Sequence, residues 1–212
     1  MIKRFVTGMT KTVPLILVLA AAALAMLVCS VTRPTTLNNA ELRELGVFLF
    51  PAAREIVPFT LTTAGGETFG LAGLRGHWSF VFFGFTNCPD ICPTTLAVMA
   101  EAERQLTDGV GFHGIMVSVD PGRDEPAVLD AYVGAFSPTF TGVTGSRQEL
   151  VGFAQQVNVA FVRVPSADGG YSVDHSGQIV IINPQGQYHG FIKMPHMAET
   201  VVQTFRALDA AF

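Results

Sequence analysis

The stretch Ser79–Thr95, SFVFFGFTNCPDICPTT, decides how the rest of the chain is read. Phe80 to Phe85 is a continuous apolar run of the kind that forms a strand buried on both faces. A short loop follows and holds two of the three cysteines, Cys88 and Cys92. Pro93 comes directly after, where a proline favours the opening of a helix. The expected order is strand, Cys-x-x-x-Cys loop, helix N-terminus. It places two thiols at the positive end of a helix dipole, which favours thiolate over thiol. Thiolate is the form that binds metal and attacks disulfides, so this loop is the expected working part of the protein.

Around that loop the chain alternates strands and helices. Ile56–Thr62 and Glu67–Leu71 flank Ala64-Gly65-Gly66 as a hairpin. The helix after the cysteines continues to about Leu106, and a second buried strand runs from Phe112 to Val119. Asp124, before Glu125 and Pro126, has the character of an N-cap for a helix reaching about Phe136. Ser146 and Glu149 have capping-box spacing for a third helix. Phe140–Val143, Val157–Val164, Tyr171–His175 and Gln178–Ile182 are expected to be extended. Asn183-Pro-Gln-Gly186 forms a turn into Gln187–Ile192, and a last helix starts near Met197. Glu41–Phe50 fits either a short helix or an extended segment. This order predicts an α/β fold of thioredoxin-like type, with a mixed central sheet flanked by helices.

Charge separates the N-terminus from the rest. Four of the 13 Lys and Arg lie in the first 33 residues, which hold no acid. Residues 34–212 therefore carry nine against all 17 acidic residues, a formal charge of −8. Such a domain does not suggest nucleic acid or an anionic membrane surface as a partner. Val13 to Val28 is uncharged and almost wholly apolar, and Lys3, Arg4 and Lys11 precede it. That pattern predicts a single-pass anchor with its N-terminus in the cytoplasm. A cleaved signal peptide is the competing reading. Cys29 invites a lipoprotein reading, which the branched Val28 before it opposes. The expected organisation is residues 1–11 cytoplasmic, 12–32 anchor, 33–52 linker and 53–212 folded domain. Both leading readings place the domain in an oxidising compartment, where a cysteine pair is often a structural disulfide.

Two thiolates can close a disulfide or hold a soft ion such as Cu(I). They do not complete a zinc site, which wants four ligands. A third ligand has to come from elsewhere, and the domain has no third cysteine. Of the five histidines, His175 stands out, in the turn Asp174-His175-Ser176 before a strand. Asp174 can orient its imidazole or merely serve the turn. Asp90, between the cysteines, can tune the thiols or stand solvated in the loop. Asp120, Arg123 and Asp124 fit an ion pair near the loop or a turn followed by a cap. Met194-Pro195-His196-Met197 has soft donors but also suits a plain strand-to-helix junction. His77, His113 and His189 are expected as surface or packing residues.

Phe83-Gly-Phe-Thr-Asn-Cys-Pro-Asp-Ile-Cys-Pro-Thr-Thr-Leu96 resembles the core motif of the Sco/SenC family of copper-binding assembly proteins. Ser118-Val-Asp-Pro-Gly-Arg-Asp-Glu-Pro126 resembles that family's second motif. Tyr171-Ser-Val-Asp-His-Ser176 with Asn183-Pro-Gln-Gly186 resembles its third. The resemblance covers roughly Phe59 to the C-terminus, and Asn87 departs from it where many relatives have His. It implies one copper, as Cu(I) or Cu(II), held by Cys88, Cys92 and His175. It implies a metallochaperone that helps assemble the binuclear copper centre of cytochrome c oxidase subunit II. Cys88 and Cys92 serve alternatively as redox-active thiols of a thiol–disulfide oxidoreductase, or as a redox or copper sensor. Further partners so implied are another periplasmic copper chaperone or a thioredoxin-like reductant. The expected location is the cytoplasmic membrane, with the C-terminal domain on its outer side.

Overall fold

A computed structural model describes residues 18–24, 36–106, 111–166 and 169–212. Residues 18–24 are helical and exposed. The remainder of the 12–32 span expected as an anchor lies outside the described residues. Among the described residues no helix is long and apolar enough to cross a membrane.

Leu37–Phe212 forms one compact unit. It opens with α1 (Asn39–Glu44), where Asn38 and Glu41 make a reciprocal capping box. The strand β1 (Val47–Arg54) follows and pairs antiparallel with the last strand of the sheet, with an irregular register between Leu49 and Arg54. Residues 39–52, expected as linker, thus belong to the fold. Pro51 obscured the strand, because a proline lacks the N–H that a central strand needs, yet is tolerated on an edge. Next come β2 (Leu61–Thr63) and β3 (Thr68–Phe69), the expected hairpin, and a 3-10 turn at Leu71–Leu74. The core then alternates as expected: β4 (Trp78–Gly84), α2 (Ile91–Gln105), β5 (Phe112–Ser118), α3 (Pro126–Gly134), β6 (Thr141–Thr144) and α4 (Arg147–Gln156). Ser146 and Glu149 form the expected capping box of α4. After β7 (Phe161–Pro165) and β8 (Tyr171–His175), the hairpin β9 (Ile179–Ile182) and β10 (Tyr188–Ile192) leads to α5 (Ala198–Ala211).

Eight strands make one mixed sheet in the order β1-β10-β9-β4-β5-β6-β2-β3. The pairs β4–β5 and β5–β6 are parallel, and the others are antiparallel. β4 is central and buried at every position. Its side chains alternate between two covered faces. Phe80 stacks on Phe112 and meets Phe205 of α5, whereas Phe83 meets Phe153 of α4. α2 packs beside α5. The strands β7 and β8 stand apart as a second, two-stranded antiparallel sheet. Its β7 is largely exposed and falls at the end of the stretch expected to be extended.

All five histidines are held below the ordinary imidazole range, chiefly by burial. His113 is the extreme case, at about 4. It lies 2.8 Å from His77 Nε2 through Nδ1 and 2.9 Å from Thr141 Oγ1 through Nε2. His189 meets the edge of Trp78. His77, His113 and His189 are therefore packing residues, as expected. A histidine with a depressed folded-state pKa leaves stability intact above the unfolded pKa of ~6.5 and loses it as pH falls toward the folded value. His113 alone accounts for about 2–3 kcal/mol between pH ~6.5 and ~4. Denaturant unfolding of the metal-free protein is expected to show a clear loss of stability from pH 6.5 to 5, before most carboxylates titrate. A flat profile over that interval would exclude the effect.

Candidate metal centre

The end of β4 sets the site. Gly84 closes the strand, and a Cβ built on it would lie 2.9 Å from Cys92 Sγ and 2.9 Å from the Phe82 ring. The missing side chain is what lets the first turn of α2 settle onto the strand end. Gly84→Ala is expected to cost about 1–3 kcal/mol by overpacking. It should also weaken metal binding, because the added methyl presses on Cys92 Sγ as closely as on the Phe82 ring. Unchanged melting and unchanged metal affinity in that variant would dismiss this role.

Cys88 lies in the loop and Cys92 in the first turn of α2; both are free thiols. Cys88 is half-buried and Cys92 fully buried. The Cys92 backbone N–H points to Cys88 Sγ at 3.5 Å. His175 is the last residue of β8 and turns its ring toward the cysteines, with Nε2 3.6 Å from Cys92 Sγ. The three donor atoms all lie within 4.8 Å of one another. Bonds of ~2.3 Å to sulfur and ~2.0 Å to nitrogen would put S and N ~3.5–3.8 Å apart around one ion in tetrahedral or trigonal geometry. The Cys92–His175 separation already fits that spacing.

Electrostatics differ among the three converging groups. His175 Nδ1 lies 3.1 Å from the Ser176 carbonyl oxygen, to which it donates, so Nε2 keeps its lone pair for the site. Burial lowers the His175 pKa, so the imidazole is neutral and ready to ligate. Phe82 and Phe85 meet its ring edge-on at 5.7 and 6.0 Å. Cys92 departs from the expectation of dipole-favoured thiolate. Burial pushes its thiol far above the ordinary range, and the nearby Cys88 and Asp124 add to the effect. Desolvation outweighs the helix terminus there.

The acidic residues expected around the ligands divide. Asp174 is exposed, and it is the Ser176 carbonyl, not its carboxylate, that fixes the His175 tautomer. Asp90 is exposed and occupies the N-cap position of α2 without a capping hydrogen bond. Asp120 is buried and ion-paired with Arg123 and with Arg163, the latter at 3.0 Å. It also accepts from the Tyr171 hydroxyl at 2.8 Å, so it anchors β7 and β8 to the body of the fold. Asp124 is not the cap of α3, because Glu125 stands at that position. Its buried carboxylate instead accepts from the Thr86 N–H at 2.9 Å, the Thr86 hydroxyl at 2.6 Å and the Ser118 hydroxyl at 2.6 Å. Thr86 lies two residues before Cys88, so Asp124 fastens the cysteine loop to the end of β5. The residues 194–197 form a strand-to-helix junction, with His196 Nδ1 3.1 Å from Thr95 Oγ1 of α2.

Sequence reasoning missed Gly84, Thr86 and Tyr171. The glycine inside an otherwise bulky strand was the available signal for the first.

Known proteins share the sequence pattern and the fold. The SCO1/SenC family model matches residues 51–209. A candidate copper-binding protein of Stutzerimonas stutzeri is 34% identical over 171 residues, spanning 80% of this chain and 84% of that one. Arabidopsis thaliana ScoI, solved with copper bound, superposes with a TM-score of 0.69 at 30% identity, over 75% of this chain and 99% of that one. Yeast Sco1 with copper bound gives a TM-score of 0.68 at 30% identity, over 76% of this chain and 91% of that one. With the match extending over most of the folded unit, the chain belongs to the SCO1/SenC family.

Proposed function

We propose that this protein carries one copper ion on Cys88, Cys92 and His175 and delivers it to the binuclear copper centre of cytochrome c oxidase subunit II. It does so from the outer side of the cytoplasmic membrane, held there by residues 12–32. The observation that carries the reading is the convergence of two thiols and a neutral imidazole on one small volume. Sulfur donors select Cu(I), and the imidazole makes the site acceptable to Cu(II). Three protein ligands leave a side open to an incoming ligand, so copper passes by exchange without release. Copper-bound relatives of the same fold support the cargo.

The test is metal analysis and absorption spectroscopy of the full chain. One copper per chain is expected, with sulfur-to-Cu(II) charge transfer, both lost in Cys88→Ser with Cys92→Ser. Because both cysteines ligate as thiolates and the buried Cys92 must give up its proton on loading, affinity should rise at least about tenfold per pH unit from 6 to 8. Sub-stoichiometric copper, or full binding by the double variant, would refute the assignment.

A second reading is a thiol–disulfide oxidoreductase that keeps the target's cysteines reduced. The free, mutually close thiols favour it. Copper and disulfide chemistry then exclude one another at any instant, since both use the same sulfurs.

A further inference from the structure

One soft donor outside the triad lies against the turn that follows His175. Met194 is half-exposed, and its thioether packs on the turn that carries His175. A Cβ built on Gly177, two residues after His175, would lie 2.6 Å from Met194 Sδ and 2.6 Å from its Cε. The glycine is thus occupied by the methionine tip. Met194 also lines a groove of about 430 Å³ with Asp90 and Ile91, the middle of the Cys88–Cys92 loop, and with Thr94 and His196. The same side chain therefore touches the turn after His175 and borders the cysteine loop.

Its neighbours offer no competing role for the sulfur. The groove wall is otherwise apolar or hydroxylic, apart from the exposed Asp90 carboxylate and the His196 ring, whose Nδ1 is engaged by Thr95. Methionine has an unbranched stem with three rotatable bonds, so its sulfur is free to exchange its place on Gly177 for another beside the cysteine loop that it borders. A neutral thioether is a soft ligand that favours Cu(I) and adds little for Cu(II).

We infer that Met194 supplies an additional ligand to Cu(I) and so sets the preference of the centre for the reduced ion. The inference rests on the copper assignment to Cys88, Cys92 and His175. Met194→Leu keeps the volume and the packing on Gly177 and removes the sulfur. In the full chain this variant is expected to bind Cu(I) about tenfold more weakly, with Cu(II) affinity unchanged. The potential of bound copper then falls by about 59 mV, the one-electron equivalent of tenfold. In selenomethionine-labelled protein, copper-edge X-ray absorption of the Cu(I) form should show a selenium neighbour, absent in Met194→Leu and retained in Met197→Leu. Equal Cu(I) affinities with no selenium neighbour overturn the inference and leave the copper assignment standing. Loss of the selenium neighbour in Met197→Leu instead transfers the role to that residue and also overturns it. Failure of the unmodified chain to bind copper overturns both.

Discussion

His175→Ala is expected to lose tight copper binding, with affinity lower by at least ~100-fold, since even residues that only orient a ligand are worth ~10–100-fold. The ring is the sole nitrogen in the ligand set, and its Nε2 faces Cys92 Sγ at 3.6 Å. Its removal leaves two thiols that still retain Cu(I) weakly but lack the donor that accommodates Cu(II). The Cys88–Cys92 pair itself is untouched, so its reduction by a small dithiol should proceed as in the unmodified protein. That contrast separates the two readings of the site. A variant that has lost copper but still supports oxidase assembly would move the function to thiol exchange. A variant that binds one copper as tightly as before would remove His175 from the ligand set. The melting temperature of the metal-free variant serves as the control for folding.

The second large effect concerns Asp124. Its carboxylate is fully buried and accepts from three donors on two elements. Asp124→Ala orphans the Thr86 N–H and the Thr86 and Ser118 hydroxyls. A buried donor left without a partner costs ~1–3 kcal/mol, and relaxation shares some of that loss, so a total of roughly 3–5 kcal/mol is expected. Asp124→Asn keeps one acceptor oxygen and should cost about half as much. Because Thr86 leads directly into the cysteine loop, both variants should also weaken copper binding, in the same order. Urea unfolding with copper titration provides the measurement. A cost below about 1 kcal/mol for the alanine variant would mean that water replaces the carboxylate, and the clamp would be abandoned.

The sequence exposed the features whose causes are local. Phe80–Phe85, the Ser146–Glu149 capping box and the Asn183–Gly186 turn each carry their own stereochemical signature, and each forms as expected. The turn closes through Gly186 at φ +82°, a conformation glycine adopts freely. What stayed hidden depends on partners far along the chain. Asp124 sits before Glu-Pro, as a cap would, but the group it serves is 38 residues away. Cys92 carried the local signal of an activated thiol, yet its burial follows from Gly84 and the strand it lies on. β1 is a strand because β10 offers it a ladder, not because VFLFPAAR insists on one. At the candidate metal centre the sequence pointed to the three groups that converge, whereas the tautomer of His175 depended on where the Ser176 carbonyl fell.

The two-stranded sheet of β7 and β8 has a mechanical consequence for the loaded protein. Cys88 and Cys92 belong to the main body, whereas His175 ends an arm that the main sheet does not hold. A bound ion would join Cys92 to a residue 83 positions along the chain. In the cross-link view, closing a loop of that length constrains the unfolded chain by about 4–5 kcal/mol. The ion pairs of Asp120 and its bond from the Tyr171 hydroxyl already hold that arm when the site is empty. A bound ion would add a second, removable fastening at the far end of β8, so loading and unloading should change stability more than shape.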